Sequence, residues 1–108
     1  MQNLEQIRAK NALEAANNKE YKFSGKNEGG VVKKIPAMIK DNGILATMAF
    51  SIETGGGYED VFKAVIVHLG KKIDTKSFMK ELASCNSSEL RSITEETIAY
   101  LNYLRSFA

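Results

Sequence analysis

His68 is the only imidazole in 108 residues, so any nucleophilic or acid–base chemistry this chain could perform has to pass through it. Triad-like catalysis needs a nucleophile, a base and an orienting group. Acid–base attack at a phosphate usually wants a second imidazole or a lysine placed opposite the first. The sequence identifies no such partner. His68 lies between Val67 and Leu69 at the end of an apolar stretch, which reads as a helix-end histidine helped by the dipole rather than a general base.

Other chemistries fail in similar ways. Zinc prefers several Cys or His ligands, and Cys85 is the single cysteine, without metal-ligand spacing around it. No cation stands beside it in sequence, so it reads as a half-buried structural residue rather than a reactive thiol, in keeping with a reducing, cytoplasmic setting. The acidic pairs Glu59-Asp60 and Glu95-Glu96 are adjacent within helical segments, so their carboxylates point apart, and both read as first-turn acids opposing a helix dipole. Gly55 to Gly57 lack the lysine and hydroxyl of a phosphate-cradling loop and read as a flexible break. No catalytic residue, metal site or cofactor is expected.

What remains is positive charge. The net charge is only +2, yet residues 1 to 40 hold eight Lys/Arg against four Glu, whereas residues 58 to 108 hold seven against seven. Arg8 and Lys10, then Lys19, Lys22 and Lys26, then Lys33, Lys34 and Lys40 carry the excess. Lys33 and Lys40 are seven residues apart and share a helix face. No aromatic residues interleave the lysines, so any nucleic-acid contact would be to phosphates rather than stacked bases. On charge alone, a solvated face is the favoured explanation over nucleic-acid contact.

The elements that must carry these residues are helical. Leu4, Ile7 and Leu13 with four alanines predict a helix to about Ala16, closed by Asn17 and Asn18. FSGKNEGG, from Phe23 to Gly30, predicts a loop. Val32, Ile35 and Ile39 give a helix ending near Asn42-Gly43, in which Pro36 marks either a kink or the first turn of a shorter helix. ILATMAFSI places Ile44, Leu45, Met48, Ala49 and Ile52 on one side and is apolar enough to be central to the core. YEDVFKAVIVHLG buries Val61, Phe62, Val65, Ile66 and Leu69, and its Val-Ile-Val run has no second strand-like segment to pair with. Asp74 or Thr75 caps a short helix through about Ser84, with Phe78, Met79 and Leu82 facing inward. A polar connector, Cys85 to Ser88, leads to a final helix with Leu90, Ile93, Thr97, Leu101 and Leu104 on its stripe. Ser92 with Glu95 offers an alternative start there as a capping box.

With 44% hydrophobic and 26% charged residues, the chain has the composition of a globular protein. No apolar run approaches the roughly 18 residues of a membrane span, and the opening MQNLEQIRAK is not a secretory leader. No internal repeat or long linker divides the sequence. The reading is therefore all-α: one domain, residues 1–108, packed as a helical bundle of about six helices.

With these segments in place, the chain resembles a known family, the small subunit of the type III-B CRISPR effector, the Cmr complex. KKIPAMIKDNGILATMAF is similar to that family's lysine-proline helix, Asn-Gly and hydrophobic helix ending in Ala-Phe, through Lys33, Lys34, Pro36, Ile39, Asn42, Gly43, Ile44, Ala49 and Phe50. EQIRAKNALEAA resembles its first helix, centred on Arg8 and Ala9. TEETIAYLNYLRSFA resembles its last, through Glu95 or Glu96, Leu101, Leu104, Arg105, Phe107 and Ala108. Tyr103 stands where the family often carries tryptophan, and FSGKNEGG interrupts a usually smoother approach to the lysine-proline helix.

The resemblance implies a non-catalytic subunit packed along a ribonucleoprotein filament, where other subunits cleave the RNA. It would line the guide–target RNA path and touch neighbouring copies of itself and other Cmr subunits, with no membrane or small-molecule substrate. The RNA-contact residues it implies are Arg8, Lys33, Lys34 and Lys40, with Arg105 a further candidate that could instead pair with a glutamate or cap the last helix. The alternative is a purely structural adaptor bridging protein subunits through its helices while its lysines stay solvated.

Overall fold

A computed structural model describes residues 2–23 and 30–108. The expected loop falls largely on residues 24–29, Lys26 among them, and so lies outside the described residues. Six helices follow in order: α1 (Leu4–Ala16), α2 (Gly30–Asn42), α3 (Ile44–Thr54), α4 (Gly56–His68), α5 (Thr75–Ser84) and α6 (Ser87–Phe107). There is no strand among the described residues.

The helix ends follow from side chains that satisfy otherwise orphaned backbone groups. Asn3 and Gln6 form a reciprocal capping box at α1, each backbone N–H donating 2.8 Å to the other's side chain. Asp74 accepts from the Ser77 N–H at 2.7 Å and starts α5. Asn86 accepts from the Glu89 N–H at 2.8 Å and starts α6. The connector before α6 is therefore only Cys85 and Asn86, and the helix runs unbroken through Ser92 without restarting at the Ser92–Glu95 box. Pro36 lies inside α2 rather than at its start, so the proline does not shorten the helix.

α4 is the hub, contacting each of the other five helices. Val61, Phe62, Ala64, Val65 and Ile66 are buried on its broad inner face, while Lys63 and Val67 on the other side are exposed. α6 contributes Thr97, Tyr100, Leu101 and Leu104, a buried stripe at i, i+3, i+4 and i+7. α1 lies along α6 in the most extensive helix pairing of the molecule. Its buried residues are the small Ala12 and Ala15, while Leu4, Ile7 and Leu13 are exposed. Small side chains let the two helices approach closely.

α3 differs from the sequence expectation. Ile44 and Met48 are buried as anticipated, but Thr47 and Ser51 join them, while Ala49 and Phe50 are exposed. The two hydroxyls donate to carbonyls one turn back, Thr47 to Gly43 at 2.9 Å and Ser51 to Thr47 at 2.8 Å. Satisfied within their own helix, they can face the core at little desolvation cost. The α2–α3 corner turns at Gly43, whose φ of 90° lies where a side chain is strained.

Candidate functional site

Three of the five basic residues singled out for RNA contact lie on the exposed side of α2, where Lys33 and Lys40 share a face and Lys34 lies about 100° further round. Lys33, Lys34 and Lys40 are exposed on α2, while Val32, Ile35, Pro36 and Ile39 on its other side are buried. The apolar anchors fix which way α2 turns and thereby aim its lysines outward. None of the three enters an ion pair or side-chain hydrogen bond among the described residues. Arg105 is exposed in the last turn of α6, where a cation suits the C-terminal end of the dipole, and it too has no ion pair among the described residues.

Arg8 is placed differently. Its Nε donates to Glu96 Oε2 at 2.9 Å and its Nη2 to Glu96 Oε1 at 2.6 Å, a bidentate pair across the α1–α6 seam with side chains 23% and 20% exposed. Arg8 is thus engaged by a carboxylate, whereas the α2 lysines have no such partner among the described residues. Two of the guanidinium's five N–H donors are spent on Glu96 inside the fold.

Glu96 is the residue that sequence reasoning misplaced, and His68 is the one whose partners it missed. α6 begins at Ser87, so Glu95 and Glu96 lie beyond its first turn and cannot oppose its N-terminal dipole as expected. Instead, Glu96 Oε2 also receives His68 Nε2 at 2.8 Å, and His68 Nδ1 accepts from the Asn11 amide at 2.9 Å. With the amide as donor, Nε2 carries the proton and donates to the carboxylate. The His68 side chain is 3% exposed, and its ring stacks on Tyr100 at 4.2 Å between centroids and 11° between planes. His68 does end α4, as anticipated, but side chains from α1 and α6 hold it. No sequence signal could have found this network, because its partners are 28 to 88 residues apart.

Electrostatics agree with this geometry. The hydrogen bond from Arg8 is the largest influence on Glu96 and, with that from His68, holds its carboxyl below the usual range despite partial burial. Burial pushes the Tyr100 phenol far upward. The other acidic pair is also structural: Glu59 accepts from the Thr75 hydroxyl at 2.7 Å, and Asp60 from the Lys22 N–H at 2.8 Å. They point apart, as adjacent helix positions must. Cys85 is half-buried, with its thiol 3.3 Å from the Leu82 carbonyl. Among the described residues, no group of three or more His, Cys, Asp or Glu could hold a metal. No helix among them is long and apolar enough to cross a membrane.

Fold and geometry together define a small all-helical protein whose buried ionisable residues join helices to one another, with a lysine face left open on α2. Residues 4–108 match the CRISPR-associated protein family Cas_Cmr5. The chain belongs to that family, the small subunits of type III-B CRISPR systems, and is a subunit of the Cmr complex. No curated protein and no solved structure matches it.

Proposed function

We propose that this subunit lines the guide–target RNA path of the Cmr complex in antiviral defence, contacting phosphates without cutting RNA, and that Lys33, Lys34 and Lys40 make the principal contacts. The observation that carries this reading is the α2 face itself: three lysines with no counter-ion among the described residues, on a helix anchored from behind by Val32, Ile35 and Ile39. The contact is to backbone and independent of sequence, because no aromatic residue stands among the lysines to stack a base. Arg8 has a secondary part, since Glu96 already holds it, and Arg105 serves at a separate position at the end of α6.

Catalysis is assigned to neighbouring subunits. His68 is enclosed and bonded through both nitrogens, which favours a structural over a catalytic role. Exposed Leu4, Ile7, Leu13, Phe50, Val67 and Phe107 supply apolar surface for neighbouring copies and other Cmr subunits, and they favour an adaptor role beside the RNA-lining one.

The test is a K33E/K34E/K40E variant assembled into the Cmr complex. Target RNA binding should fall by at least tenfold at physiological salt while assembly is retained, and RNA crosslinks in the wild-type complex should map to α2 peptides. Normal assembly with undiminished target binding would leave the structural adaptor as the better reading.

A further inference from the structure

A cleft of about 180 Å³ opens where α1, α4 and α6 meet, lined by Asn11, Glu14, Tyr21, Val67, His68 and Tyr100 among others. We propose that it is a socket for the guanidinium group of an arginine presented by a partner protein chain.

The lining is rich in acceptors and lacks any lysine or arginine. Glu14 is exposed at this cleft and enters no ion pair among the described residues. Tyr100 is 1% exposed, yet its hydroxyl makes no hydrogen bond among the described residues. Among those residues, the only sealed side-chain oxygen or nitrogen without a partner is Thr97 Oγ1. The Tyr100 hydroxyl thus has no partner among the described residues, and Tyr100 lines the cleft. A buried hydroxyl in that state gains from a ligand that supplies a hydrogen bond. His68 adds no competing demand, since Asn11 and Glu96 already occupy its two nitrogens.

Size and charge narrow the ligand. The volume corresponds to about six waters and is well below the roughly 300–1,000 Å³ of cofactor-sized sites, so a side-chain head fits where a nucleotide does not. Glu14 also disfavours a phosphate. Between an ammonium and a guanidinium, the planar fork reaches several spread acceptors at once and packs against aromatic rings. The cleft lies away from the lysine face of α2 and requires ligand charge of the opposite sign, so this assignment does not rest on the RNA reading.

The test is an NMR titration of the isotope-labelled full chain with Nα-acetyl-arginine methylamide, with the matching lysine derivative and adenosine monophosphate as comparisons. The arginine probe should shift the amides of Asn11, Glu14, His68 and Tyr100 together, in the millimolar range and more tightly than the lysine probe. Adenosine monophosphate should leave them unmoved. Tyr100→Phe should weaken the arginine probe about tenfold and Glu14→Gln about threefold. Tyr100→Phe removes a hydroxyl with no described partner, so the fold should persist. If it does not, the exposed Glu14→Gln variant decides alone. Absence of these shifts, equal response to the nucleotide, or undiminished binding by the folded variants would overturn the proposal.

Discussion

Glu96 receives three hydrogen-bond donors from two other helices: Nε and Nη2 of Arg8 on α1 and Nε2 of His68 on α4. Its folded pKa is depressed, first by the Arg8 hydrogen bond. An unfolded glutamate titrates near about 4.3, so the linked stability is fully present above that value and is lost as pH falls through the lower folded pKa. The unfolding midpoint of the wild type in urea should therefore drop between about pH 5 and pH 3, and Glu96→Gln should flatten that drop. Equal acid sensitivity in the two proteins would mean that another group titrates. Glu96 was visible in the sequence as half of an acidic pair and as one of two glutamates that could carry the family resemblance of the last helix. Its neighbours in the chain carry no information about Arg8 or His68, whereas Asp74 and its short-range cap could be read locally.

At the scale of elements, helices set by periodicity and caps were legible, and contacts between segments were not. α1, α5 and the end of α2 fall where apolar spacing, Asn and Asp place them. The inward face of α3 was not legible, because Thr47 and Ser51 look polar until their hydroxyls are paired to the preceding turn. Gly57 is a second example. It read as part of a flexible break, yet it lies in the first turn of α4 beneath residues 20–23, which are tied down by the Lys22 N–H to Asp60. A Cβ at Gly57 would collide with the Lys22 carbonyl oxygen, a backbone atom that cannot rotate away. Gly→Ala within a helix ordinarily stabilises by about 1 kcal/mol. Here the sign should reverse, Gly57→Ala costing about 1–3 kcal/mol through displacement of that segment. Thermal unfolding measures the net effect, and faster hydrogen exchange at the Lys22 amide would locate it. A raised melting temperature would show that the approach is loose.

At the scale of the whole molecule, modest charge becomes useful only when a fold gathers it. The excess of cations in residues 1 to 40 was plain in the sequence, but its division was not: Arg8 goes to the α1–α6 seam, whereas Lys33, Lys34 and Lys40 emerge together on α2. Lys33 and Lys40 are separated by about 10.5 Å along the helix axis, so they reach different phosphates of a strand. On the proposed reading, each of the three lysines neutralises one phosphate. Each then contributes about −0.7 to the slope of log binding constant against log salt on a single strand, and about −0.9 on a duplex. Replacing all three by glutamine in the assembled complex should reduce the magnitude of that slope by about 2 to 3 for every subunit engaged, with discrimination between target sequences unchanged. On the same reading, copies of the subunit repeated along the RNA would multiply the effect, because tethered weak contacts act at high effective concentration. If affinity fell without a change in slope, the lysines would be acting through protein packing, and the adaptor reading would account for the subunit better.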